Sequence, residues 1–129
     1  MNKPILITAS VLGFLAVILG AFAAHGLQKL IAPEQIKTFQ TGVTYQMYHA
    51  LFLLFLGCIN SISYKAKKIV YRLVVLGIIL FSGSIYGLAT NQLSSFDFKA
   101  IGWITPVGGT LLIAAWFILF LNFMKIKQD

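Results

Sequence analysis

Acidic residues and cysteines are both scarce in this chain of 129 residues. Only three side chains are Asp or Glu, against ten Lys or Arg, and there is one cysteine. A single cysteine, Cys58, cannot form an intramolecular disulfide, and no Cys/His spacing in the sequence suits a structural zinc site. Charged residues make up only 10% of the chain, too few to cover a water-soluble globule of this size. These shortages exclude a disulfide scaffold and argue against an ordinary soluble domain.

Apolar residues dominate instead, at 59% of the chain. They form four runs of about twenty residues, none with an acidic side chain, at 5–24, 43–62, 69–89 and 101–124. A helix of that length, rising about 1.5 Å per residue, spans the roughly 30 Å hydrocarbon core of a bilayer. The sequence therefore predicts an all-α membrane protein, a single domain over residues 1–129, with four transmembrane helices in a compact bundle.

Two of the four runs have alternative interpretations. The second is the weakest span, because Gln46 and His49 interrupt it. The first could be a cleaved signal peptide, since Lys3 precedes it and Ala21-Phe22-Ala23 resembles a processing site. Retention as a span is favoured, because its apolar core is longer than the roughly 7 to 15 residues of a signal and small residues recur along it.

Basic residues are distributed unequally between the two sides that four alternating spans define. Seven lie on the side of the termini, namely Lys3, Lys65, Lys67, Lys68, Arg72, Lys125 and Lys127, and three on the other, namely Lys29, Lys37 and Lys99. Because membrane proteins keep their basic loops in the cytoplasm, we expect both termini there. The net charge of +7 then orients the chain and does not indicate nucleic-acid binding.

The segment between the first two runs, residues 25–42, has an amphipathic pattern rather than that of a plain linker. Its apolar residues at helical spacing are Leu27, Leu30, Ile31, Ile36, Phe39 and, just beyond it, Val43. We expect this short segment to lie on the membrane surface. Pro33 suits the first position of a helix, so a helix that starts there and runs into the second span is one alternative, and an irregular loop is the other.

Small residues recur at steps of three, four or seven along the first and third runs, and two adjacent glycines follow the start of the fourth. In lipid, helices associate through close backbone approach, so faces of small residues mark helix contacts. The glycines predicted to pack between helices are Gly13, Gly20, Gly83, Gly87, Gly108 and Gly109.

Polar side chains near or inside the apolar runs are the candidate functional residues, because a hydrogen-bonding group in lipid needs a partner or a wet cavity. Under the expected topology they all fall toward the outer surface. The candidates for one outward-facing polar pocket are His25, Tyr45, Gln46, His49, Ser82, Ser84 and Thr105. The alternative is that each satisfies a neighbour, as serines do with backbone carbonyls.

No catalytic signature accompanies these residues. The runs contain no paired carboxylates, and the chain has no G-x-S-x-G, no H-E-x-x-H and no glycine-rich phosphate loop after a strand. We therefore expect neither an enzyme nor a cofactor. Two histidines could ligate a haem axially, but no further haem signature supports this.

Several short motifs together resemble those of a known family. They are Gly20-Ala21-Phe22-Ala23-Ala24-His25-Gly26-Leu27, Tyr45-Gln46 with His49-Ala50, Phe81-Ser82-Gly83-Ser84 with Tyr86, Thr105-Pro106-Val107-Gly108-Gly109, and Trp116. The combination resembles, over nearly the whole chain, the family of small inner-membrane proteins of unknown function named after the bacterial YgdD and YwdK. Ala23 stands where that family usually has glycine, a small-for-small change. The resemblance implies a four-span protein of the bacterial plasma membrane, and no activity, substrate or cofactor.

The expected function is that of a non-enzymatic membrane component which binds a lipid, a small apolar ligand or a partner helix through the outer polar pocket. The alternative is a small oligomeric transporter or channel with the pocket as its vestibule. Against transport, the inner half offers no buried charge to pass an ion along. The expected partners are the lipid bilayer and either a second copy of the chain or another membrane protein.

Overall fold

Residues 2–128 are described by the computed structural model of the protein, and no strand is found among them. Four long helices follow one another along the chain: α1 (Lys3–His25), α2 (Pro33–Cys58), α3 (Tyr64–Ala89) and α4 (Ile104–Met124). Short 3₁₀ turns occupy parts of the first and third connections, at Leu27–Lys29, Asn91–Leu93 and Phe98–Ile101. The predicted all-α fold is confirmed.

Local sequence explains where three of these helices begin. The side chain of Asn2 accepts a hydrogen bond from the Ile5 N–H at the start of α1, and that of Ser63 does the same for Ala66 at the start of α3. Such side chains satisfy backbone donors that have no partner within the helix. Pro33 is the first residue of α2, where its fixed φ suits the helix and its missing N–H costs nothing.

The helix α2 differs most from the predicted span. It begins ten residues before residue 43, so the second part of the segment expected to lie on the membrane surface, residues 33–42, forms its first turns. Ile36 and Phe39 pack in a cluster with Ala23 at the end of α1 and Ala89 at the end of α3. The apolar face of this stretch is thus buried in the bundle, and residues 33–42 continue directly into the rest of α2. The alternative of a helix that starts at Pro33 and continues through the second apolar run is the arrangement found.

Hydropathy separates α2 from the other three helices. The helices α1, α3 and α4 are long and apolar enough to cross a membrane. At 26 residues α2 is as long as α3, but its first half is rich in polar side chains. The boundaries of the others shift too: α3 begins at Tyr64 instead of residue 69, and α4 at Ile104 instead of residue 101.

Each helix packs most closely against its neighbours in the chain. The chain reverses direction at each connection, and the Asn2 N–H donates to the Gly57 carbonyl at 2.9 Å, which joins the start of α1 to the end of α2. We call this end the basic end, because it holds Lys3, Lys65, Lys67, Lys68, Arg72, Lys125 and Lys127. The main core lies in the adjacent half and draws on all four helices, with Ile5, Ala9, Phe52, Leu53, Leu56, Val70, Val74, Ile78, Leu112, Ala115 and Leu119 buried in it.

Five of the six glycines predicted to pack between helices fall into three groups. A Cβ added at Gly108 would collide with the backbone of Phe81 and Leu80, so α3 and α4 touch backbone to backbone there. A Cβ at Gly87 would meet the ring of Phe98 at 2.6 Å. Gly13, Gly20 and Gly109 make ordinary contacts, with neighbouring side chains 3.5 to 3.8 Å from the added atom. Close approach through glycine is therefore strongest between α3 and α4.

Gly83 does not pack against another helix of this chain. A Cβ built there would meet nothing within 4 Å. Gly83 shares its face of α3 with Leu76 and Ile79, which are 50% and 59% exposed, because residues three, four and seven apart lie on one side of a helix. Three glycines outside the predicted set do pack tightly, with a Cβ 2.7 Å from a neighbouring side chain at Gly42, Gly57 and Gly77.

A comparison of two glycines tests this packing. Replacing Gly108 with Ala should lower the free energy of unfolding by about 1–3 kcal/mol, because the added methyl group forces the α3 and α4 backbones apart. Replacing Gly83 with Leu, a larger change, should cost much less. Thermal unfolding in detergent measures both variants, and equal losses would contradict the assignment of the α3–α4 contact.

Candidate functional site

Gln46 joins three helices through its side-chain amide. The residue is only 5% exposed. Its Nε2 donates to the Leu12 carbonyl of α1 at 2.9 Å, and its Oε1 accepts from the Tyr86 hydroxyl of α3 at 2.6 Å. A polar group that would be costly in lipid is thus paired on both of its atoms.

His49 is buried and links α2 to α4. Its Nε2 accepts from the Trp116 indole N–H at 3.1 Å, and its Nδ1 lies 2.7 Å from the Tyr45 carbonyl oxygen. Because the indole can only donate and the carbonyl can only accept, this geometry requires a neutral imidazole with its proton on Nδ1. Both nitrogens are used within the bundle, so neither is free to ligate a haem iron.

The two serines of α3 serve different neighbours. The Ser82 hydroxyl donates to the Gly42 carbonyl of α2 at 2.7 Å, whereas the Ser84 hydroxyl lies 2.5 Å from that of Thr105 on α4. Residues two apart on an α-helix point in nearly opposite directions. The serines therefore hold α3 between its two neighbours and do not face one shared cavity.

The seven predicted pocket residues do not all meet in one place, although Tyr45 with His49 and Ser84 with Thr105 are neighbours. His25 is exposed at the end of α1 and makes no side-chain hydrogen bond to another described residue. His49 lies nine residues before the end of α2 at Cys58, which puts it about 13 Å from that end at roughly 1.5 Å per residue. It is therefore near the middle of the bundle and not in the outer half, where the sequence placed it.

Hydrogen bonding inside the bundle is complete for the residues that the structure describes. None of their buried side-chain nitrogen or oxygen atoms lacks a partner. For Gln46, His49, Ser82 and the Ser84–Thr105 pair, the alternative that each satisfies a neighbour is the arrangement found. What these side chains do chemically is hold helices together, and none is left poised as an acid, base or nucleophile.

One groove remains beside His49, between α2 and α4. Its volume is about 320 Å³, and its lining includes Tyr45, His49, Phe81, Gly109, Ile113 and Trp116. The groove exists because α4 packs on α3 through Gly108, while Trp116 bridges to α2 with its side chain. Ile113 is 70% exposed and Trp116 50% exposed, so the groove opens outward from the bundle. The Tyr45 hydroxyl has no hydrogen bond to any other described residue.

Two residues of these contacts were missing from the predicted pocket. Tyr86 and Trp116 belong to the motifs that carry the family resemblance and not to the predicted pocket, although they supply the partners of Gln46 and His49. A usable signal was present, because tyrosine and tryptophan each carry one polar hydrogen that needs a partner when the ring is buried.

Comparison with known proteins places this arrangement among bacterial membrane proteins. The family described as "Protein of unknown function (DUF423)" matches residues 19–109. A UPF0382 membrane protein of Staphylococcus saprophyticus is 38% identical over 96% of this chain and 99% of its own length. UPF0382 membrane protein YwdK of Bacillus subtilis is 36% identical, covering 95% of this chain and 98% of its own. UPF0382 inner membrane protein YgdD of Escherichia coli is 35% identical, covering 98% and 94%. No solved structure matches the chain.

Double-mutant cycles distinguish separate contacts from one coupled site. Gln46→Leu and Tyr86→Phe remove two ends of one hydrogen bond, so their effects on unfolding free energy should be non-additive by about 0.6 kcal/mol or more. His49→Leu and Ser84→Ala touch different partners and should add within about 0.3–0.5 kcal/mol. A coupling energy between His49 and Ser84 as large as that between Gln46 and Tyr86 would show that these residues belong to one coupled site.

Proposed function

The chain belongs to the DUF423 family of UPF0382 membrane proteins, and from that premise we propose a non-enzymatic component of the bacterial plasma membrane that binds a lipid chain. The protein crosses the bilayer four times, with both termini in the cytoplasm. The bound molecule is an acyl or isoprenoid chain, held in the groove between α2 and α4.

The fourth crossing rests on how α2 hides its polar groups. Gln46 and His49 lower its hydropathy, but both are less than 6% exposed and fully hydrogen-bonded to other helices or to the backbone. A paired polar side chain inside protein costs far less in a bilayer than a bare one. Over residues 45–55 the side chains that α2 exposes are all aromatic or aliphatic, namely Tyr45, Tyr48, Leu51, Leu54 and Phe55.

The orientation rests on charge. Seven of the ten basic residues lie at the basic end, and a cytoplasmic excess of Lys and Arg is the usual rule for bacterial membrane proteins. Four antiparallel helices then put both termini on the cytoplasmic side. This arrangement supports placing residues 59–63 inside, and the segments around Lys29 and Lys99 outside.

The observation that carries the ligand proposal is the groove beside His49. At about 320 Å³ it is at the small end of ligand pockets, which run from roughly 300 to 1,000 Å³. A slender chain suits that volume and the apolar lining, and the groove lies at the depth of the hydrocarbon core. The Tyr45 hydroxyl offers one hydrogen bond to an ester or hydroxyl oxygen of such a chain.

The same geometry disfavours the other expected roles. A base or nucleophile is not available at His49, because both ring nitrogens are engaged. A transport path would have to continue from the groove toward the basic end, where the core consists of aliphatic and aromatic side chains. Binding without chemistry or passage is what the groove supports best.

Filling the groove tests the proposal. Gly109 lines it, and a Cβ there would have only ordinary contacts, 3.5 Å from the Phe81 ring. Gly109→Leu should therefore occupy the groove and reduce crosslinking of a phospholipid that carries a photoactivatable group on its acyl chain. Crosslinked peptides identified by mass spectrometry should come from α2 and α4 in the wild-type protein.

Gly83→Leu is the matched control, because it adds the same side chain on a lipid-facing surface of α3. Its labelling at α2 and α4 should equal that of the wild type. Undiminished labelling of those helices in Gly109→Leu, or an equal loss in the control, would contradict lipid-chain binding in the groove.

A further inference from the structure

Among the residues that the structure describes, no carboxylate lies at the basic end to pair its basic side chains. Among residues 2–128 the only acidic side chains are Glu34 and Asp97. Glu34 is in the first turn of α2 and Asp97 lies in the connection between α3 and α4, both at the opposite end of the bundle. The charges of Lys68 and Arg72 are therefore not neutralised by the part of the chain that the structure describes.

A cleft lies between the start of α1 and the first turns of α3 at this end. Its volume is about 210 Å³, and its lining includes Asn2, Pro4, Tyr64, Lys68, Tyr71 and Arg72. The Tyr71 hydroxyl lies 2.7 Å from that of Thr8, which ties α3 to α1 beside the cleft. The cleft is thus a gap between two helices whose spacing is held by a hydrogen bond.

The two positive charges of Lys68 and Arg72 destabilise α3 when no anion is bound beside them. They are one turn apart near the N-terminus of α3, and like charges at this spacing repel. The first turn of α3 has no acidic residue to offset these charges. Lys67 differs from them, because its ammonium is buried and donates to the Ile59 carbonyl at the end of α2. An anion bound in the cleft would relieve the charge that Lys68 and Arg72 leave exposed.

The same face of α3 changes from charged to apolar along its length. Lys68 and Arg72 are followed at helical spacing by Leu76 and Ile79, which are 50% and 59% exposed. A phospholipid has the same order, with a phosphate at the interface and hydrocarbon below it. A soluble anion would contact only the charged part of this face, at Lys68 and Arg72.

We propose that the cleft between α1 and α3 binds the phosphate of an anionic phospholipid, with its acyl chains lying along Leu76 and Ile79. The Arg72 guanidinium can hold two phosphate oxygens at once, and the Lys68 ammonium adds a point charge. Asn2 and Tyr64 offer hydrogen bonds to the glycerol of a headgroup. This site is separate from the groove between α2 and α4 and does not depend on it.

Titration of the purified protein with fluorescent phosphatidylglycerol in detergent micelles tests the site. Lys68→Gln combined with Arg72→Gln should weaken binding by at least about tenfold, since each basic residue near an anionic headgroup contributes a few-fold or more. The matched control is Lys125→Gln combined with Lys127→Gln, which removes the same charge from the same end outside the cleft. It should bind within about twofold of the wild type, because its residues do not line the site.

Two further arms decide the chemistry and the source of the phosphate. Fluorescent phosphatidylcholine, which has no net charge, should bind the wild-type protein much more weakly than phosphatidylglycerol does. Inorganic phosphate at millimolar concentration, with ionic strength held constant, should not displace the bound lipid. Equal losses in the two double variants, no preference between the two lipids, or displacement by inorganic phosphate would each overturn the proposal.

Discussion

Buried polar groups must have hydrogen-bond partners within the protein, and the architecture depends on how α2 meets that requirement. Gln46 donates to a carbonyl of α1 and accepts from a hydroxyl of α3, while His49 accepts from an indole of α4. The most polar of the four helices is consequently bonded to all three others. Removing a partner would leave a buried polar group unsatisfied, which costs about 1–3 kcal/mol. The polar residues of α2 thus specify which neighbours it must have.

Because these hydrogen bonds are made within the bundle, its outward faces are left to apolar side chains that can contact lipid. Because the polar side chains within the bundle are turned toward one another, the outward faces of α1 and α4 are left mostly apolar, with Phe14, Val17, Ile113 and Phe117 more than half exposed. Two recesses in the surface of the bundle lie at different levels along it. The groove beside His49 is near the middle of the bundle, and the cleft beside Arg72 is at the basic end. Their linings match the two halves of a membrane lipid.

Sequence reasoning predicted the helices well and the contacts between them poorly. The length of each apolar run sets a helix, and the ring of Pro33 fixes where α2 starts. Contacts depend in addition on the rotation of each helix about its axis, which one sequence does not reveal. Gly83 and Gly108 look alike in the sequence, yet one faces outward and the other touches a backbone. Ser82 and Ser84 likewise looked like members of one pocket, although they point to different helices.

The central claim is that α2 crosses the bilayer despite its polar residues, and the single native cysteine tests it directly. Cys58 is exposed at the end of α2, and Thr38 is exposed in its first turns. A membrane-impermeant maleimide should label Cys58 of the wild type from one side of the membrane only. It should label Thr38→Cys, in a Cys58→Ser background, only from the other side, as intact cells and inverted vesicles can show. Labelling of both positions from the same side would contradict the account.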